Sequence, residues 1–232
     1  LAQLVDGALG MAYGVIATSL LLSMGILPAA ASASVHMAEC FTTGASAAAH
    51  NAFGNVDREL FRRLLLPAIF GAVLGAYILT RLPGDTIRPY ISLYLLCMGV
   101  FIVIKALRSA PRSKRISSHL GPLGFFGALV DTIGGGGWGP IVASTLIAHG
   151  NEIRNAVGSV NAVEFFVTAA ASVTFILTIG VSHWQSVLGL IVGGILAAPV
   201  GAYACQRLPA RPFMFAVGVV LVALSIRNLA IF

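Results

Sequence analysis

The chain has 232 residues, of which 58% are hydrophobic and only 9% charged, with a formal net charge of +6. A soluble domain of this size needs more charge than that to cover its surface, so composition excludes the soluble class and points to a polytopic membrane protein. The excess of basic residues lies mainly in the links between apolar segments, as the positive-inside rule leads one to expect. It therefore signals a lipid bilayer as partner and no nucleic acid.

Eight apolar segments follow in order. Segment one, roughly 1–24, is interrupted near Gly10 to Gly14. Segments two to four cover roughly 29–53, 60–80 and 88–107. Residues 108–120 form a hydrophilic, basic link. Segments five to eight cover roughly 121–149, 155–180, 184–206 and 211–232. A spanning helix needs about 20 apolar residues, and most of these segments qualify. The division is thus a first transmembrane repeat over 1–107, a cytoplasmic link over 108–120 and a second transmembrane repeat over 121–232.

The two halves are copies. Asp6 aligns with Asp131, Gly10 with Gly135, Gly14 with Gly139, Ser19 with Ser144, Glu39 with Glu164 and Thr43 with Thr168, all at an offset of 125. Of the 38 positions from Asp6 to Thr43, 13 are identical across that offset. Each copy opens on a break. In the second, Gly134-Gly135-Gly136-Gly137-Trp138-Gly139-Pro140 sits between two apolar runs. Glycine costs about 1 kcal/mol and proline about 3 kcal/mol per site within a helix. In lipid the freed backbone groups find no water, so such a break survives only inside protein or along a polar cavity. Bare N–H groups at a helix terminus favour an anion. Glycine-interrupted segments at matching places in two halves point to a transporter's binding site.

Charge bears on how the broken segments run. If all eight segments cross, the repeats are parallel and Arg154, Arg207 and Arg211 lie outside. If segments one and five dip in and return, the repeats are inverted and those three arginines join the basic links on the inside. The second arrangement has the stronger bias. The expected fold is therefore an all-α polytopic membrane protein of two inverted repeats, each a glycine-broken re-entrant helix plus three spanning helices.

Segment two carries Ser32, His36, Glu39, Thr43, Ser46 and His50 on one helical face. The matching positions of segment six include Asn161, Glu164 and Thr168. An ionisable group at the centre of a spanning helix costs at least about 2.5 kcal/mol, so it faces inward and has a function by default. His36, Glu39, Asn161 and Glu164 read either as carriers of a coupling proton or as braces for the breaks. Asp6 and Asp131 read as caps on the half-helices that follow. Tyr13 and Trp138 either line a substrate path or wedge the glycines. His119, His149 and His183 fall in the link or at segment ends. Cys40, Cys97 and Cys205 lack metal or redox spacing and read as packing residues; no metal and no cofactor is expected.

The run G-A-L-V-D-T-I-G-G-G-G-W-G-P from Gly127, followed by an apolar stretch and R-N-A-V-G ending at Gly158, resembles the TauE/SafE family. The likeness covers both halves. In the first half the glycine run is diluted to Gly10-Met11-Ala12-Tyr13-Gly14. The resemblance implies a multi-pass protein of the bacterial inner membrane, not an enzyme, that exports small sulfur-containing oxyanions such as sulfite, sulfoacetate or other organosulfonates. In that reading Gly10, Tyr13, Gly14, Gly134, Gly135, Gly136, Gly137 and Trp138, helped by the hydroxyls of Ser19, Thr43, Ser144 and Thr168, hold the substrate. Export needs no ATP, and the chain has no P-loop. The substrate, the direction, the coupling ion and the oligomeric state, a homodimer included, stay open. Alternatives are a proton- or cation-coupled carrier of another small anion or of a cation, and an intramembrane metalloenzyme built on His36, Glu39 and His50.

Overall fold

The computed structural model describes residues 11–108, 119–180, 184–207 and 210–231. Among them every regular element is helical. In order these are α1 (Tyr13–Ser23), α2 (Pro28–Ala52), α3 (Arg58–Arg81), α4 (Gly84–Leu107) and α5 (Leu120–Gly134). A π-helical turn, Gly139–Ala143, runs into the short α6 (Ser144–Ala148); then come α7 (Ile153–Ile179), α8 (Trp184–Arg207) and α9 (Ala210–Ala230). Asp6, Gly10, His183 and nearly all of the basic link lie outside the described residues.

Local chemistry sets the helix ends. Pro28 sits in the first turn of α2, where its missing N–H is not needed. Asp57 caps α3 by accepting from the N–H groups of Glu59 at 2.8 Å and Leu60 at 3.2 Å. α5 stops at Gly135, whose φ of 71° lies in the left-handed region that glycine enters freely.

Among the described residues three helices are long and apolar enough to cross a membrane by themselves: Arg58–Arg81, Gly84–Leu107 and Arg154–Ile179. α2 has the length, 25 residues, but carries the polar stripe. That stripe points inward: Ser32, His36, Glu39 and Thr43 are all buried, whereas Phe41 on the same helix is 59% exposed. Phe70 and Leu177 are 67% and 80% exposed. Polar-in and apolar-out is the pattern of a surface solvated by lipid, where burying apolar area brings no gain but a buried polar group finds its partners.

The halves interleave: α2 packs on α7, α3 on α5 and α4 on α9. Contact order gives the chain directions. Along α2 and α7, His36 meets Phe175, Cys40 meets Ser172 and Gly44 meets Phe165, so these helices run antiparallel. Gly99 meets Val222 and Val103 meets Gly218, so α4 and α9 also run antiparallel. α3 and α5 run parallel, with Leu64 beside Gly124 and Gly75 beside Leu129. They sit close, because a Cβ on Gly71 would lie 2.1 Å from the Phe125 carbonyl oxygen. After the break the chain doubles back: Val142 and Trp138 pack on Gly127, and His149 shares one groove with His119. α5 and Gly139–Ala148 therefore form a hairpin whose tip is the glycine run.

Candidate functional site

The tip closes on itself through Asp131. Its backbone carbonyl accepts from the N–H of Gly136 at 2.8 Å, and its carboxylate accepts from the N–H of Trp138 at 2.8 Å. The N–H of Gly135 also turns back to the Asp131 carbonyl. Asp131 thus joins the end of α5 to the start of the return arm. In this conformation it occupies three of the N–H groups that the glycine run presents.

Side chains from α1, α2 and α4 clamp the tip from outside. The Thr18 hydroxyl donates to the Gly135 carbonyl, Ser32 to that of Thr132 at 2.7 Å, and Tyr94 to that of Gly136 at 2.8 Å. Trp138 is 1% exposed, and its indole N–H donates to the Val160 carbonyl at 3.1 Å. The bonds to Thr132, Gly135 and Gly136 satisfy carbonyls that the break removes from the helical ladder, and the Trp138 bond ties the tip to α7.

The remaining carboxylate oxygen of Asp131 lies 3.1 Å from His36 Nε2, with both side chains buried. His36 Nδ1 lies 2.8 Å from the Ser32 carbonyl. A carbonyl only accepts, so Nδ1 carries a hydrogen. Nε2 then either donates to a carboxylate or accepts from a protonated carboxyl. In both cases one proton is shared across the contact, as a fully buried pair requires.

The two glycine breaks touch. A Cβ on Gly136 would fall 2.3 Å from Gly14 C and Val15 N, and one on Gly14 would fall 2.7 Å from Gly136 Cα and 3.0 Å from a Glu39 carboxylate oxygen. Only glycine permits this backbone crossing. Ala12, just before it, adopts φ 87°, unusual for a residue with a side chain. Beside the crossing lies a cavity of about 10 Å³, space for about one water. Glu39 of α2, Glu164 of α7 and Asp131 of α5 bring three carboxyl groups to its wall. Tyr13, Gly14, Thr43, Gly137 and Trp138 also line it.

Other residues singled out from the sequence lie elsewhere. The Ser144 hydroxyl accepts from Lys105 Nζ at 2.5 Å. Thr168 turns back to the Phe165 carbonyl at 3.1 Å. Ser19 is buried with its carbonyl accepting from Asn228, and Asn161 is buried on α7. Gly134 packs under the Tyr94 ring. Asp6 and Gly10 lie outside the described residues.

The sequence reading missed Thr18 and Tyr94. Nothing local marks them: Tyr77, one segment earlier, is 47% exposed on the outer surface. Arg88 is also buried, and it donates to the Leu22 carbonyl at 2.5 Å, placing a cation at the negative end of α1. Among the described residues no group of three or more His, Cys, Asp and Glu side chains is placed to hold a metal ion.

A family model described as "Sulfite exporter TauE/SafE" matches residues 1–228. A relative from Bacillus subtilis (strain 168), "Probable membrane transporter protein YtnM", is 42% identical over 241 residues, covering 99% of this chain and 79% of the relative. No solved structure matches. A match that spans nearly the whole of a chain of long lipid-facing helices is decisive: the chain belongs to the TauE/SafE family, and it is a multi-pass membrane transporter rather than an enzyme.

Proposed function

We propose that the protein exports small sulfur-containing oxyanions such as sulfite, sulfoacetate or other organosulfonates across the bacterial inner membrane, by alternating access around the cavity where the two breaks cross. The observation that carries this reading is the Gly14–Gly136 crossing beside a small polar cavity. The family's printed description supports the cargo class. At about 10 Å³ the cavity holds no oxyanion, so the conformation described is a closed one. The tips part to admit substrate.

The same reading makes the halves inverted repeats with re-entrant hairpins. Its support is directional. The equivalent helices α2 and α7 run antiparallel, as do α4 and α9. α5 enters parallel to α3 and the return arm leaves antiparallel to α5. A hairpin that enters and leaves by one face keeps the basic links on one side, in line with the charge bias. An inside-negative potential favours anion export by about 2.3 kcal/mol per charge per 100 mV.

A second reading, proton coupling, is favoured by the three carboxyl groups on the cavity wall. A protonated carboxyl beside an anion removes the repulsion and adds a donor. One experiment separates the two. Labelled sulfite or sulfoacetate is measured in proteoliposomes with membrane potential and pH gradient imposed separately. Flux that follows potential alone, and survives Glu39→Gln and Glu164→Gln, makes the glutamates braces. Flux that needs the pH gradient and is lost in these variants makes them proton carriers. Absence of oxyanion flux under both gradients refutes the cargo.

A further inference from the structure

Lys105 lies near the end of α4, just before the basic link. Instead of reaching for solvent its side chain turns inward. Nζ donates to the Ser144 hydroxyl on the return arm at 2.5 Å and approaches Met11 Sδ at 3.7 Å. Ser144 is 7% exposed, and Met11 lines the closed cavity. Among the described residues no carboxylate lies within ion-pair distance of this ammonium. A lysine in an apolar span without a counter-charge is costly, and its default explanation is a ligand path. An ammonium has three donors, of which one goes to a hydroxyl and one faces a weak thioether acceptor. The position matters too. Lys105 stands between the basic end of α4 and the cavity, with Met11 as the next side chain inward.

We propose that Lys105 and Ser144 form a cytoplasmic recruiting subsite for an oxyanion, where sulfonate or sulfite oxygens accept from Nζ and the hydroxyl before the anion passes Met11 into the cavity. This rests on the reading of the cargo as a small oxyanion. Lysine suits the task because it is a compact point charge on a flexible stem, able to follow an anion inward.

The test is anion-dependent thermal stabilisation of the purified, detergent-solubilised protein, titrated with sulfoacetate and with inorganic sulfate, against chloride at equal ionic strength. Wild type is expected to show saturable stabilisation by the oxyanions. Lys105→Gln is expected to raise the apparent Kd about tenfold or more, since a charge-assisted hydrogen bond is lost, whereas Lys105→Arg keeps the charge and holds Kd within a few-fold of wild type. Lys105→Gln with a lowered Tm but an unchanged Kd would show only a tie between α4 and the return arm, and would overturn the subsite. Wild type that responds to neither oxyanion would overturn the cargo reading and the subsite together. Should Lys105→Gln fail to fold, wild type decides. Acetic anhydride modifies lysines, and the chain has only Lys105 and Lys114. Oxyanion protection of Lys105 relative to Lys114, read by mass spectrometry, is expected, and its absence overturns the proposal.

Discussion

Replacing Gly136 by Ala tests whether the two breaks are packed as described. The added Cβ would sit 2.3 Å from Gly14 C and Val15 N. Heavy atoms settle at about 3.5–4.0 Å, so the tips must part by more than about 1 Å. Gly136 also has φ 146°, where a side chain is strained. Strained backbone costs about 1–3 kcal/mol and overpacking about another 1–3 kcal/mol. Gly25→Ala is the control, because it has φ 88° but nothing within 4 Å of the new Cβ. It carries the backbone contribution alone. Thermal unfolding of both variants in detergent, with sulfoacetate flux in proteoliposomes, is the assay. Gly136→Ala is expected to be less stable than Gly25→Ala by about 1–3 kcal/mol, at about 2–4 °C in Tm per kcal/mol. Its flux is also expected to fall, because the closed conformation no longer forms. Equal Tm values with wild-type flux would refute the crossing of the breaks.

Asp131→Ala leaves the Trp138 N–H and His36 Nε2 buried without partners and is expected to cost about 3–5 kcal/mol. Asp131→Asn still accepts from Trp138 and can donate to a neutral His36, so it is expected to cost at least about 1 kcal/mol less; equal losses by chemical unfolding would refute the shared-proton arrangement. Tyr94→Phe and Trp138→Phe each delete one donor to a buried carbonyl and are expected to lower stability by about 1–3 kcal/mol, read as a drop in Tm. Single cysteines at His119 and His149, in a chain with Cys40, Cys97 and Cys205 replaced, are expected to react with an impermeant maleimide from the same face of the membrane. Labelling from opposite faces would refute the re-entrant hairpin.

Much of the helical framework was legible in the sequence. The apolar runs set helix positions: α3 occupies Arg58–Arg81 where the run was roughly 60–80, and α4 ends at Leu107 as the run does. Pro28, Asp57 and Gly135 mark helix ends because capping is chemistry between residues a few positions apart. The inward face of α2 was legible too, since a 3.6-residue period is a local property. Glycine at 134–137 announced a break because the cost of glycine within a helix is intrinsic.

What meets what was decided only by the tertiary structure. The sequence put His36 and Asp131 on separate segments, and nothing in their spacing brings Nε2 within 3.1 Å of the carboxylate. Thr18 and Tyr94 became clamps on the hairpin, and Lys105 reached Ser144, only when α1 and α4 packed around it. Tyr77 and Tyr94 look alike along the chain, yet one faces lipid and the other holds the Gly136 carbonyl. The reason is physical. Periodicity, capping and glycine strain act within a few residues, so the sequence alone determines helices, breaks and inward faces. Partners 42 positions apart, such as Tyr94 and Gly136, or 117 apart, such as Thr18 and Gly135, are chosen by how whole helices pack, and that choice belongs to the tertiary structure.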